Sequence, residues 1–340
     1  MLEPQTVTTT PAPFDAKELA AHRSALRAHA YRMTASAADA EDAVQEAMIR
    51  AWRGRGRFRG DSSLRTWLLR IVTRTSLDIL AKRRAKLGPR IRPTDDGAAG
   101  TVEDELRTRE DAAWIEPLAD ADAVDPGLSP EEILACRRDL RLAFVAALQR
   151  LPARQRAALL LADVCGWRAP EVADTLETTP AAVNSALQRA RATLRPKDEA
   201  PTRFAPDPLD PAHAQLLNAY VAAFEAYDID ALVDVLREDV TMCMPPYDLW
   251  LQGRADIGAW MRGRGIGCRG SRLLPIAANG TLGFAQYRRA PSGAYHPWSL
   301  ILLELADGPR GPKIASVIHF LDTAAVFPRM GLPAELAPTS

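Results

Sequence analysis

The densest chemistry in this sequence is a run of cations. From Arg50 to Arg92 stand 14 basic residues against two acids, Asp61 and Asp78. Guanidinium and ammonium groups at that density suit a polyphosphate backbone, with an affinity that falls steeply as salt rises. Arg53, Arg55, Arg57, Lys82, Arg83 and Arg84 are the candidates for phosphate contacts. Planar groups stand among them. Drawing a base out of a duplex costs a few kcal/mol, offset by stacking and a pocket. Phe58, Arg59 and Trp67 are the available planar side chains. Trp67 has helical spacing to Ile71, which favours the core, so the loop Arg59 to Ser63 is the better place to grip an unstacked base. Arg74 is expected on the exposed basic face, within reach of strand backbone.

Three other constellations carry weight. Just before the cations, Asp42, Gln45, Glu46 and Ile49 recur at helical spacing as an acidic stripe with an apolar edge, suited to a basic protein partner. Further on, Asn184, Ser185, Gln188, Arg189 and Arg191 project from one helix, where Gln can pair with adenine and Arg with guanine in a major groove. In the last third, His296, His319, Asp322, Tyr227, Tyr247 and Asp230 are the polar candidates for acid–base work. His319 stands in a strand between apolar neighbours, which points to a hydrogen-bonded core residue, and no Asp–His pairing is legible. Met242, Cys243 and Met244 read as strand filler and not as a metal site. No metal or cofactor is expected.

The elements that must position these groups follow from periodicity and punctuation. Ala16 to Thr34 reads as a helix packing against the acidic helix, whose inner face is Ala40, Val44, Ala47 and Ala51. Leu64 to Arg84 is the next helix, with Leu64, Leu68, Ile71, Thr75 and Ile79 buried, and Arg70, Thr73, Arg74 and Leu77 beside them. Asp95 to Glu132 reverses the charge, with 13 acids against Arg107 and Arg109, and reads as a solvated linker. Helices are expected over Glu131 to Arg150, Ala153 to Val164 and Pro170 to Leu176. A tight turn at Glu177-Thr178 then leads to Thr179, a good N-cap with Pro180 after it, and a helix to Leu194. Val172, Ala173, Leu176, Val183 and Leu187 make a shared core: a helix-turn-helix.

A Pro-rich stretch from Lys197 to Pro211 precedes helices at Ala212 to Ala226, Asp230 to Leu236 and Asp256 to Arg262. Strands follow at Val240 to Met244, Arg272 to Ala277, Thr281 to Arg288, Tyr295 to Leu305 and Lys313 to Leu321, with Asn279-Gly280 a tight hairpin turn. Tyr295 to Leu305 and Lys313 to Leu321 are apolar on both alternations, so both faces need cover. One face would line a cone. The other is expected to pack against the helical part of the same chain, with the tail Phe327 to Pro333 in that contact.

The 340 residues allow two to three domains, and the net charge of zero hides basic and acidic segments. Cys136, Cys165, Cys243 and Cys268 are far apart, as reduced thiols in a cytosolic protein would be. No membrane-length apolar run or signal peptide is legible.

Asp39-x-Glu41-Asp42-x-x-Gln45-Glu46 followed by Arg50-Ala51-Trp52 resembles the polymerase-docking segment of region two of bacterial sigma-70-family factors, in particular the extracytoplasmic-function (ECF) group. Phe58-Arg59-Gly60-Asp61-Ser62-Ser63 followed by Arg65-Thr66-Trp67-Leu68-x-Arg70-Ile71 resembles the part that melts and reads the minus-ten element. Leu151-Pro152-x-x-Gln155-Arg156-Ala157, Glu171-Val172-Ala173 and Ala190-Arg191-x-x-Leu194 are similar to region four, which reads the minus thirty-five element. Arg74 stands where the family often has Asn, and Glu177 where its turn often has Gly. The last third resembles the SnoaL-like cone, in element order.

The resemblance implies an alternative sigma factor directing promoter-specific initiation, with two all-α sigma domains and an α+β cone that modulates them. The expected layout is a disordered tail (1–15), region two (16–87), an acidic linker (88–130) able to thread polymerase channels, region four (131–197), a Pro-rich linker (198–211) and the cone (212–335). The implied core-polymerase contacts, to the β′ clamp and β flap, are Asp39, Glu41, Asp42, Gln45 and Glu46. The implied minus-ten contacts are Phe58, Arg59, Asp61, Ser62, Ser63, Arg65, Trp67, Arg70, Arg74, Arg83 and Arg84. Those to the minus thirty-five element are Thr179, Ala181, Asn184, Ser185, Gln188, Arg189 and Arg191. A cytoplasmic, non-enzymatic protein is expected; the alternative is a sigma module fused to an active cyclase or isomerase, or to a small-ligand sensor.

Overall fold

The computed structural model describes residues 14–84, 90–92, 94, 99–108, 113–195, 203, 205 and 210–338. Most of the expected N-terminal tail lies outside these residues, but Phe14 is buried and Asp15 caps the first helix, accepting from the Glu18 amide. The helix expected over 16–34 is divided into α1 (Ala16–Ala20) and α2 (Arg23–Thr34). Ser36 caps α3 (Ala37–Arg53), whose Ala40, Val44, Ala47 and Ala51 are fully buried. Those small side chains let α3 lie close to α2 and to α4 (Leu64–Arg84). Thr73 of α4, expected on the face beside the core, is buried, its hydroxyl 2.9 Å from a ring nitrogen of buried His29.

The acidic segment is not a free linker where it is described. Ala113–Trp114 (β2) pairs in parallel with Arg90–Ile91 (β1), and Ile115, Leu118, Ala123 and Val124 are buried, the last stretch forming α5 (Asp120–Ala123). Its scattered apolar residues are what hold it down: they fill the space between the first helices and the C-terminal sheet.

The second helical unit contains α6 (Pro130–Leu140), capped by Ser129, then α7 (Leu142–Gln149) and α8 (Ala153–Leu159), which ends in a π-helical turn, Leu160–Val164. The single helix expected over 131–150 breaks at Arg141, whose backbone is extended (φ −55°, ψ 140°). The helices α9 (Ala169–Leu176) and α10 (Pro180–Leu194) form the helix-turn-helix over Val172, Ala173, Leu176, Val183 and Leu187, all buried. Glu177 takes a left-handed conformation (φ 51°), so the turn keeps its geometry without Gly. Thr179 caps α10 as its sequence position predicts.

In the last third, α11 (Pro211–Ala226), α12 (Ile229–Asp234) and α13 (Arg254–Arg262) accompany a six-stranded sheet of order β4-β3-β8-β7-β6-β5. Its strands are β3 (Leu236–Cys243), β4 (Trp250–Gln252), β5 (Arg272–Ala278), β6 (Thr281–Arg289), β7 (Tyr295–Gly308) and β8 (Gly311–Phe320). Among the described strands of this sheet, only β3 and β8 pair in parallel. The two apolar alternations of β7 and β8 go to different places. Ile301, Leu303, Leu305 and Val317 join the interior beneath α11 and α13. Leu300, Leu302, Ile318 and Phe320 belong to one apolar cluster with Leu26 and Tyr31 of α2, Ile115, Leu118 and Leu140. The last described helix is α14 (Thr323–Arg329), whose Phe327 ring lies edge-on to Tyr287 at 5.3 Å.

The tip of the β5–β6 hairpin joins the C-terminal domain to the rest through a set of hydrogen bonds. Asn279 and Gly280 both have positive φ (53° and 65°), as a two-residue primed turn requires. The buried Asn279 amide group donates to Tyr31 Oη (2.7 Å) and to the Leu140 carbonyl (3.0 Å), and accepts from the Leu118 amide (3.0 Å). Asn279 N–H donates to the Leu118 carbonyl (2.9 Å), and Gly280 N–H to Asp120 (2.8 Å). Burial raises the Asp120 pKa, opposed by the Gly280 hydrogen bond and by Arg137. A Cβ at Gly280 would fall 1.9 Å from the Arg137 carbonyl oxygen.

Candidate nucleic-acid interface

The acidic stripe of α3 divides in two. Asp42, Gln45 and Glu46 are exposed, and Ile49 and Trp52, 39% and 41% exposed, extend the same helix with apolar surface. Glu46 pairs on the surface with Arg50 one turn on (2.7 Å), and Asp39 and Glu41 are engaged more deeply within the chain. Glu41 pairs with Arg23 and Arg27; burial pushes its carboxyl up, but the hydrogen bonds and charges of those two arginines outweigh it and hold it below its ordinary value. Asp39 lies 3.2 Å from Arg90 and 3.6 Å from Arg83. Arg83 is therefore half-buried in an ion pair in this structure and not displayed to a phosphate. Arg84 is the last residue of α4, its side chain outside the described part.

The loop before α4 leaves Arg59, Asp61, Ser63 and Arg65 exposed and Ser62 half-buried, with the Ser63 hydroxyl accepting from the Thr66 amide at 3.1 Å. Phe58 and Trp67 are half-buried with rings 5.4 Å apart, and Phe14 covers both at 5.7 and 5.8 Å. Trp67 thus sits in the core arrangement its spacing favours. Arg53 and Arg57 are exposed, while Arg55 lies over the Trp52 ring at 4.4 Å.

Two arginines expected at DNA face the helix-turn-helix unit instead. Arg74 donates to the Thr175 carbonyl (3.0 Å) and the Asp174 carbonyl (3.2 Å) at the end of α9, and lies 3.2 Å from Glu177. The reason is electrostatic: the last carbonyls of a helix are unpaired and carry negative partial charge, which a guanidinium satisfies. Arg70 lies over the Trp167 ring at 5.8 Å. From the other side, buried Arg156 donates to the Met33 carbonyl at the end of α2 and to the carbonyls of Leu148 (2.9 Å) and Leu151 (3.1 Å).

On α10, Thr179, Ala181, Asn184, Ser185, Gln188, Arg189 and Arg191 are all exposed, on the side away from the buried Val183, Leu187 and Ala190. Arg191 is held by both oxygens of Asp163 (2.7 and 3.1 Å). A helix with this face uncovered fits a major groove in width and presents Gln and Arg to base edges. Sequence reasoning missed Phe14, the partners of Arg70 and Arg74, and the docking role of Asn279; only the last left a trace, as an Asn-Gly turn.

The chain matches the model of sigma-70 region 2 over residues 19–86 and that of sigma-70 region 4 over 141–194. It is 44% identical over 323 residues to the ECF RNA polymerase sigma factor SigG of Mycobacterium tuberculosis, covering 93% of this chain and 83% of that one. It is 34% identical over 231 residues to SigJ of the same organism, covering 67% and 64%. The crystal structure of SigJ aligns over 94% of this chain and 100% of that one with a TM-score of 0.57 at 24% identity, a likeness of fold. This chain belongs to the ECF sigma factors of bacterial RNA polymerase. It acts with core polymerase on promoter DNA to direct transcription initiation. Among the described residues no helix is long and apolar enough to cross a membrane.

Proposed function

We propose that this sigma factor rests in a closed state, with its cone as the clasp, and must open to serve a promoter. In the cytoplasm, the exposed Asp42, Gln45 and Glu46 of α3 dock on the β′ clamp, with region four on the β flap. The Arg59–Ser63 loop, with Phe58, Arg65 and Arg84, engages the minus-ten element, while Arg83 stays in its ion pair with Asp39. The exposed α10 residues read the minus thirty-five element.

One observation carries the reading: Arg74 of region two is hydrogen-bonded to the end of α9 in region four. Elements some 25 base pairs apart are separated by about 85 Å at roughly 3.4 Å per step. Two domains in hydrogen-bonding contact cannot occupy both ends of that span, so engagement requires their separation. Opening also frees Arg70 and Arg74 for the minus-ten strand. The cone opposes opening, because the Asn279–Gly280 tip holds α2, the acidic segment and α6 at one point.

Run-off transcription with purified core polymerase and the full chain tests this, alongside a variant with Asn279→Gly that loosens the clasp. The variant is expected to bind core more tightly and to give more transcript. A full chain that fails to associate with core, or a loosened variant with unchanged core affinity and output, would overturn the proposal.

A further inference from the structure

The cone holds a cavity of about 470 Å³, within the range of pockets for small organic ligands. Its walls are thioethers and rings, among them Met242, Met244, Phe224, Trp260 and Trp298, which suit a flat apolar body. Two guanidiniums, Arg264 and Arg288, reach its lining, which contains no carboxylate among the described residues. Among the described residues neither arginine is in an ion pair. Arg288 makes do with weak partners: its Nη2 lies 3.1 Å from Cys268 Sγ and its guanidinium carbon 3.2 Å from the Trp298 ring centre. Its buried Nε–H has no acceptor among the described residues. His319, also in the lining, is pushed down to about 4 by burial and by the charge of Arg288, so at neutral pH it adds no charge. A cation set among apolar walls, with no counter-ion among the described residues, is what a carboxylate ligand complements.

We propose that the cone binds a small aromatic carboxylate, anchored on Arg288 and walled on one side by Leu106 of the segment that joins the two sigma regions. That segment lies along the cavity mouth. Arg264 donates to the carbonyls of Glu103 (3.0 Å) and Asp104, and Thr108 pairs with cavity residue Tyr247. Leu106 itself lines the cavity. A bound ring covers Leu106 and restrains residues 101–108, so occupancy reaches the chain between regions two and four. The site stands whether or not the closed state described above governs transcription, since binding is read on the cone directly.

The test uses the full chain and three acids, benzoate, salicylate and indole-3-acetate, each beside its neutral amide. Intrinsic tryptophan fluorescence follows binding, because Trp260 and Trp298 line the cavity. At least one acid is expected to saturate the signal about tenfold more tightly than its amide. Arg288→Gln removes that preference, Arg288→Lys keeps part of it, and bound acid slows amide exchange across residues 101–108. Should Arg288→Gln fail to fold, the acid–amide comparison on the unaltered chain still decides. No saturable binding by any acid, equal binding of acid and amide, or full acid preference in a folded Arg288→Gln protein would overturn the assignment. Saturable binding without slower exchange over 101–108 would overturn the part given to Leu106.

Discussion

Replacing Asn279 with Gly tests the clasp at its centre. Gly accepts the left-handed backbone of this position (φ 53°), so the change removes hydrogen bonds without adding strain. Lost are the acceptor for the Leu118 amide and the donors to Tyr31 Oη and the Leu140 carbonyl. Tyr31 keeps its own bond to the Glu116 carbonyl (2.7 Å), so it is not orphaned. A buried amide left unpaired costs about 1–3 kcal/mol and each of the two lost neutral hydrogen bonds about 1 kcal/mol, which puts the total near 3–5 kcal/mol. At about 1.4 kcal/mol per factor of ten, the undocked population rises roughly 100- to 4,000-fold.

Amide hydrogen exchange on the full chain reads this directly. The useful reporters are amides that Asn279 does not touch: Glu116, which donates to the Ala35 carbonyl, and Val124, which donates to the Asp120 carbonyl. Both are expected to exchange faster by the same factor, because undocking exposes the stretch from Ala113 to Val124. Gly280→Ala, which drives a methyl into the Arg137 carbonyl, should act at least as strongly. If Leu118 alone exchanged faster while Glu116 and Val124 kept their original rates, the turn would be a local bond and not a clasp.

Other predictions bear on separate parts of the molecule. Arg74→Ala removes two charge-assisted bonds at a half-exposed site; the loss is about 1 kcal/mol after allowance for solvent, read as a roughly fivefold gain in open molecules by fluorescence transfer between regions two and four. Buried His29 and His319 are pushed down to about 3 and about 4, first by burial and then by Arg32 and Arg288 respectively. Below about pH 6.5 the unfolded chain takes up protons that the folded chain refuses, so stability is full above that pH and falls toward pH 4, by at most about 1.4 kcal/mol per pH unit for each group. Thermal melts across that window check the slope, and His29→Gln should flatten it. On α10, Arg189→Ala should relax preference at one base pair by about 1–3 kcal/mol. Asp163→Asn releases Arg191 and should steepen the salt dependence of DNA binding by up to about one unit of slope, in a titration of duplex affinity against salt.

Much of this architecture is legible in local pattern. Thr179-Pro180 marks the start of α10 because a hydroxyl cap and a missing N–H both suit a helix's first turn. The double alternation of β7 and β8 already requires two covered faces. What local pattern conceals has physical reasons. Three-residue β4 is too short to show a period, and Pro328 inside α14 reads as a breaker. The acids from Asp95 to Glu132 suggest solvation, yet a few residues such as Ile115 and Leu118 suffice to bury their neighbours. The site suffers most from distance in sequence. Arg74 and Thr175 are a hundred residues apart, and no spacing rule reports that a cation expected at DNA is satisfied by a helix end.

The cluster shared by Leu300, Leu302, Ile318, Phe320 and the first helices has a practical corollary. A fragment ending before the last third, or beginning at it, would carry a bare greasy wall that water disfavours. Such pieces should self-associate when expressed alone, and comparisons of truncated with intact protein would then measure clumping as much as regulation.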